Sequence, residues 1–202
     1  MKVILVGHEG SRKILKASMY LTGKYLPFET TYLNYGGEIS GWSEFIASHL
    51  RKLEDKKVIF ALDDYLLSSP LDETLYEILL NQDVVCARLC DSSFYPKYVL
   101  KDGIMWISGQ DYTATTQYCI WDREFLIELL GQVKTPWEFE IEGSKYLNSK
   151  GKVVIGTVKP ALEYPTSSCL SRSWNGIKVS ENNKEDIQYL VEHGYLNKDE
   201  LI

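Results

Sequence analysis

Two carboxylates stand side by side, Asp63 and Asp64, where the apolar run VIFAL ends. Like charges on neighbouring residues repel, so each must stay hydrated or meet a cation. Hard oxygen donors in this number suit Mg²⁺ or Mn²⁺. Such ions keep several waters and share diphosphate oxygens, so one or two protein carboxylates are enough to hold them. A salt bridge from Asp63 and a turn cap from Asp64 are the plainer alternatives. An aspartyl phosphohydrolase would place its second acid two residues after the first; Tyr65 stands there, which argues against phosphatase chemistry.

A second group of acids lies in TPWEFEIEGSKY, residues 135–146. Glu138 and Glu142, four apart, share one helix face, and Glu140 points elsewhere. Acids near a helix start are favoured by the helix dipole, so a solvated acidic face is the bland reading. Trp137 and Phe139 interleave with them, however. A flat apolar platform beside groups that accept hydroxyl protons suits a sugar, and either Glu138 or Glu140 has the chemistry of a general base. Thr115, Thr116 and Gln117 offer hydrogen bonds to a polar ligand where a loop meets an apolar run. Trp121, Phe125 and Leu129 recur at helical spacing and read as core. Near the front, HEGSRK supplies His8, Arg12 and Lys13. The two cations read as a solvated helix start or as a phosphate clamp. His193 reaches a metal only if the polar tail folds over the site.

The chain has 202 residues, enough to bury a core without disulfides, with 45% apolar and 25% charged residues and a net charge of −6. Acids and bases are mixed along it, which argues against a broad nucleic-acid surface but not against a nucleotide held by a few local groups. Cys86, Cys90, Cys119 and Cys169 make no zinc-binding spacing and read as buried reduced thiols. MKVILVGHEG reads as a first strand rather than a leader peptide, and no run approaches the ~20 apolar residues of a membrane helix. A soluble protein of a reducing, cytoplasmic compartment is the expectation.

The elements that must position these groups are legible by period and punctuation. Strands are expected at residues 2–6, 30–33, 56–62, 83–89 and 152–155, with a short antiparallel one at 104–107. Helices are expected at 12–21 (capped by Ser11), 44–53, 71–81, 123–130, from Thr135-Pro136 onward, and at 184–193. Strands alternating with helices in the first half give βαβ units and a largely parallel sheet. Ligands of such sheets bind at the carboxyl ends of the strands, beside the switch in strand order, where both Asp63-Asp64 and the HEGSR loop fall.

In order, VILVGHEGSRK, GWSEFIASHLRKL, VIFALDDYLLSSPLD, TTQYCIWDREFLIELL and PWEFEIEGSK resemble the small nucleotide-sugar glycosyltransferases of the GT-A fold, known from bacterial polysaccharide clusters and large DNA viruses, chlorella viruses among them. The likeness spans roughly residues 2–155. It implies an α/β, GT-A-like (Rossmann-like) fold with a mixed, mainly parallel central sheet flanked by helices. One domain covers 1–202, with a nucleotide-binding part to about 90, an acceptor-side part to about 160 and a C-terminal tail. By resemblance, Asp63-Asp64-Tyr65 takes the place of the family's metal-binding acids, which usually flank one residue, so which acid meets the metal stays open. Gly7, His8 and Arg12 would carry base and ribose. Asp63 and Gln117 would also serve the nucleotide, and Glu138 or Glu140, with Glu140 favoured, would be the catalytic acid residue of PWEFE. Implied with these are Mn²⁺ or Mg²⁺, a UDP-sugar donor (glucose- or rhamnose-like), a glycan or glycoprotein acceptor, and inversion in a single displacement. Tyr65, Trp106 and Trp137 would pack on sugar faces. Two rivals are a nucleotidyltransferase acting on sugar phosphates, for which HEGSRK with its single Gly is a poor match, and a non-catalytic carbohydrate-binding domain.

Overall fold

A computed structural model describes residues 1–9, 12–90, 98–99, 103–107, 111–164 and 184–198. Its frame is one eight-stranded sheet in the order β2-β1-β3-β7-β4-β8-β6-β5. The strands are β1 Val3–His8, β2 Thr30–Tyr35, β3 Lys57–Leu62, β4 Cys86–Arg88, β5 Tyr98–Val99, β6 Ile104–Ile107, β7 Cys119–Asp122 and β8 Val154–Thr157. β1 pairs in parallel with β2 and β3, and β4 with β8, whereas β7 is antiparallel to β3 and β4 and β6 is antiparallel to β8 and β5. Six of the eight strands therefore run one way, as expected; β7 and β6 are the two reversed.

The run VILV is apolar throughout because both faces of the sheet are covered. Val3 and Leu5 enter one core, with Leu15, Ala17 and Leu21 of α1 (Arg12–Tyr25), Leu79 of α3 (Glu73–Leu80) and Leu190 of α6 (Lys184–Glu192). Ile4 and Val6 enter the other, with Ile46 and Leu50 of α2 (Trp42–Leu50), Leu126 and Leu129 of α4 (Arg123–Leu130) and Phe139 of α5 (Pro136–Ser149). Trp42, Phe60 and Trp121 meet the Phe139 ring at tilted to edge-on angles, with centroids 5.7–6.0 Å apart, a favourable arrangement of ring quadrupoles. α1 leads from β1 outward to β2 on one face, and α2 returns past β1 to β3 on the other. The strand order thus switches direction between β1 and β3, and the ligand crevice of an open α/β sheet lies at such a point.

Most expected elements are present, with ends displaced by a few residues; β1 runs on to His8 and β4 shrinks to three residues. The segment before α4 is different. Residues 119–122 form β7, inserted antiparallel between β3 and β4, instead of the end of a loop entering a helix. Trp121 does join Phe125 and Leu129 in one core, but it arrives there from a strand. Asp122 fixes the boundary: its Oδ1 accepts from Phe125 N at 2.8 Å and caps α4. Cys86, Cys90 and Cys119 are buried, and burial, with the Cys119 side chain beside it, pushes the Cys86 thiol well above its usual range. Cys169, Ser11 and the polar tract at 165–183 lie outside the described residues. No described helix is long and apolar enough to cross a membrane.

Candidate functional site

The sheet's pairing carries Asp63 to the switch point. Its N–H donates to Val6 O at 2.9 Å, extending the β1–β3 ladder one residue past β3. Its side chain, 6% exposed, lies flat against the Gly7 backbone. A Cβ on residue 7 would fall 2.5 Å from Asp63 Oδ2 and 3.0 Å from its Cγ, so only glycine lets the carboxylate sit there. Asp64 follows, half-buried.

Beside Asp63 at this end of the sheet lie the residues before β7. Thr116 O accepts from Leu62 N at 2.9 Å, fastening this strip beside Asp63. Its donors converge on one carboxylate oxygen: Glu140 Oε1 accepts from Thr116 Oγ1 at 2.9 Å, Thr116 N at 3.1 Å and Thr115 Oγ1 at 3.4 Å. All three of these bonds go to Oε1. Glu140 is one turn into α5, a helix begun by Thr135, whose Oγ1 accepts from Glu138 N at 3.1 Å, and by Pro136.

Glu138 and Glu140 thus part company. Glu138 Oε2 accepts from Lys134 N at 2.8 Å, bracing the start of α5 much as a capping box does. Gln117 is held as well: its Oε1 accepts from Arg88 Nη2 at 3.0 Å. Arg88 closes β4 and is 3% exposed. It was not anticipated as a site residue, and its only trace in the sequence is a single charge inside the apolar run VVCARL.

The remaining candidates are spread more widely. His8 is exposed at the end of β1, 6.4 Å from the Tyr35 ring. Arg12 opens α1, and its side chain lies outside the described residues. Tyr65 is no open platform for a sugar: it is 7% exposed, packs edge-on against Tyr164 at 5.1 Å and lies 3.5 Å from Thr116 Oγ1 through its hydroxyl. Trp137 and Trp106 are 61% and 43% exposed, but on elements covering different parts of the sheet, α5 and β6. His193 is exposed just past the end of α6, stacked on Tyr189 at 3.9 Å with its Nδ1 2.9 Å from the Tyr189 carbonyl, and Tyr189 in turn stacks on Tyr20 of α1, away from Asp63 and Asp64. Among the described residues no three His, Cys, Asp or Glu side chains gather as a metal cage. Two adjacent carboxylates suit instead an ion completed by water and phosphate oxygens.

No family model and no curated protein sequence matches the chain. Solved structures do. TarS 1-349 of S. aureus in complex with UDP is 9% identical with a TM-score of 0.52, over 80% of this chain and 59% of that one. A UDP-glucose pyrophosphorylase complexed with UDP-glucose is 13% identical with a TM-score of 0.51, over 95% of this chain and 81% of that one. The fold is GT-A-like. Its mixed α/β sheet is shared by enzymes of both kinds, and at these identities the likeness reaches the fold and no further.

Proposed function

We propose that the protein is a glycosyltransferase that moves a sugar from a UDP-sugar to a hydroxyl of a glycan. The observation that carries this reading is that the fold brings two carboxylates from distant parts of the chain to one end of the sheet. Asp63 is seated on Gly7 at the switch point, and Glu140 is gripped through one oxygen by the neighbouring strip. Asp64 and Asp63 are the residues that would hold Mn²⁺ or Mg²⁺, which supplies charge neutralisation at the leaving diphosphate. Glu140 Oε2 takes the proton of the acceptor hydroxyl while that oxygen bonds to the anomeric carbon. The bond from that carbon to the diphosphate oxygen breaks, and UDP leaves with its electron pair. Attack opposite the leaving group inverts the anomeric centre. Thr115 and Thr116 keep the carboxylate aimed, which shortens the search for a reactive geometry.

A second reading, transfer of a nucleotidyl group to a sugar phosphate, is favoured by the 95% of this chain that aligns with the pyrophosphorylase. A panel of UDP-, GDP- and dTDP-sugars incubated with Mn²⁺, with and without pyrophosphate, tests both. Release of UDP and free or transferred sugar without pyrophosphate supports the glycosyltransferase. Formation of UTP that requires pyrophosphate supports the nucleotidyltransferase and overturns the first reading.

A further inference from the structure

We infer that Arg88 is a positioning residue that fixes the loop holding the Glu140 carboxylate; this rests on the role proposed above for Glu140. Arg88 is the last residue of β4, paired with Cys119, and 3% exposed. A guanidinium this buried has lost most of its hydration and turns to protein acceptors, here through its two Nη groups. They reach the two ends of one short loop. Nη1 donates to Tyr112 O at 3.1 Å, and Nη2 donates to Gln117 Oε1 at 3.0 Å. The residues between those ends are Thr113, Ala114, Thr115 and Thr116, each no more than 3% exposed.

The groups that hold the Glu140 carboxylate lie inside that bracket, while its backbone carbonyl accepts both from the loop and from Ser144 Oγ of α5. Thr115 and Thr116 donate to Oε1. Tyr112 N donates to Glu140 O at 3.2 Å, and Ala114 N donates to Ser144 Oγ at 2.9 Å, one turn further along α5. Tyr112 has φ 61°, in the left-handed region that a bulky side chain adopts only when its surroundings impose it. Its peptide groups are gripped on both sides, the N–H by Glu140 O and the C=O by Arg88. The planar fork of an arginine can reach both ends of the loop at once, which a lysine ammonium or an apolar side chain cannot.

The test uses the full chain and the variants Arg88→Met, Arg88→Lys and Gln117→Met, alone and combined with Glu140→Gln. UDP affinity in Mn²⁺, melting temperature, and kcat and KM for UDP-sugar turnover are measured for each. Expected is a fall in kcat of about 10²-fold for Arg88→Met, the scale of a misplaced catalytic group. UDP affinity should stay within about two-fold and KM should move little, since the diphosphate end of the site is untouched. Gln117→Met, which frees one end of the loop, should lose less. Arg88→Met with Glu140→Gln should be no slower than Glu140→Gln alone, because both act through one carboxylate. Additive losses, or full kcat in Arg88→Met, would overturn the inference while leaving the proposed function standing. If Arg88→Met does not fold, Arg88→Lys and Gln117→Met carry the same comparison. If the wild type neither binds UDP with Mn²⁺ nor turns over, the proposed function fails by itself. Amide exchange then decides on Arg88: faster exchange at Tyr112 and Thr116 in the variants supports the tie, and unchanged exchange there sinks it.

Discussion

Both edges of the sheet gather carboxylates, and the two gatherings are built differently. At the amino edge of the parallel strands lies an open groove of about 580 Å³ lined by Val85, Asp122, Phe125, Glu128 and Lys152, among others. Two of its acids serve the start of their own helix, and the third joins that helix to its neighbour. Asp122 caps α4, Glu124 pairs with the adjacent Arg123 at 2.5 Å, and Glu128 accepts from Tyr146 of the packed helix α5. At the carboxyl edge the acids are held by groups far away in sequence: Asp63 by the surface of Gly7, and Glu140 by Thr116, 24 residues before it. A cap is a local device that satisfies a helix end. A carboxylate seated by two or three separate elements needs the whole fold to be in place, and that arrangement suits a site.

The largest effect should separate the edges outright. Asp64→Ala and Asp63→Ala are expected to abolish Mn²⁺-dependent UDP binding and turnover with the melting temperature nearly unchanged, as read by calorimetry and thermal melts. Asp122→Ala should do the reverse, with UDP affinity intact and stability lowered by about 0.5–2 kcal/mol through the lost cap. Gly7→Ala tests the seat itself: the added methyl must push the Asp63 carboxylate aside, so UDP affinity should fall at least about ten-fold.

Smaller in scale is the contrast between two acids on one helix. Glu140→Gln should cut kcat by about 10²–10⁴-fold, the usual worth of a general base, with UDP affinity preserved. Glu138→Ala should leave kcat alone and cost about 1 kcal/mol or less of stability. Equal kinetic losses in the two variants would erase the distinction drawn between them.

The smallest effect concerns the core, where pH should act only at the alkaline end. Burial pushes the Tyr76 phenol up to about 12 and the Tyr118 phenol in the same direction. In the unfolded chain these phenols ionise near pH 10, so the folded state then binds more protons and stability falls as pH rises from about 10 towards 12. Lys24, raised by its bond to the buried Asp186, contributes fully below about pH 10.4 and loses that contribution as pH rises through its folded value. The buried Cys86 thiol, also raised, adds a loss that begins where unfolded thiols ionise, near about pH 8.5. Urea melts should therefore give a shallow decline from about pH 8 that steepens above 10. Stability that stays flat to pH 11 would contradict this.

The alternation of apolar runs and helical periods made the layers readable, because β1 and β3 are apolar on both faces and the helices carry strong start signals such as Asp72 and Thr135-Pro136. The strand-end position of Asp63-Asp64 was readable for the same reason. The four-residue run CIWD was not, since it leads straight into REFLIELL and its period cannot be told from the helix's. Glu138's capping place had a signal, Thr three residues before Glu. Glu140's partners had none, because hydrogen bonds from Thr115 and Thr116 are made by tertiary packing. Arg88 was missed because a single charge in a buried strand has no periodicity, and its purpose appears only with the loop folded over it.

Titration calorimetry of the full chain with UDP, in Mn²⁺ and then in EDTA, is the sharpest test of the metal-bridged site. Binding should require the metal and vanish in Asp64→Ala. UDP binding of equal strength in EDTA, or undiminished in a folded Asp64→Ala variant, would contradict it.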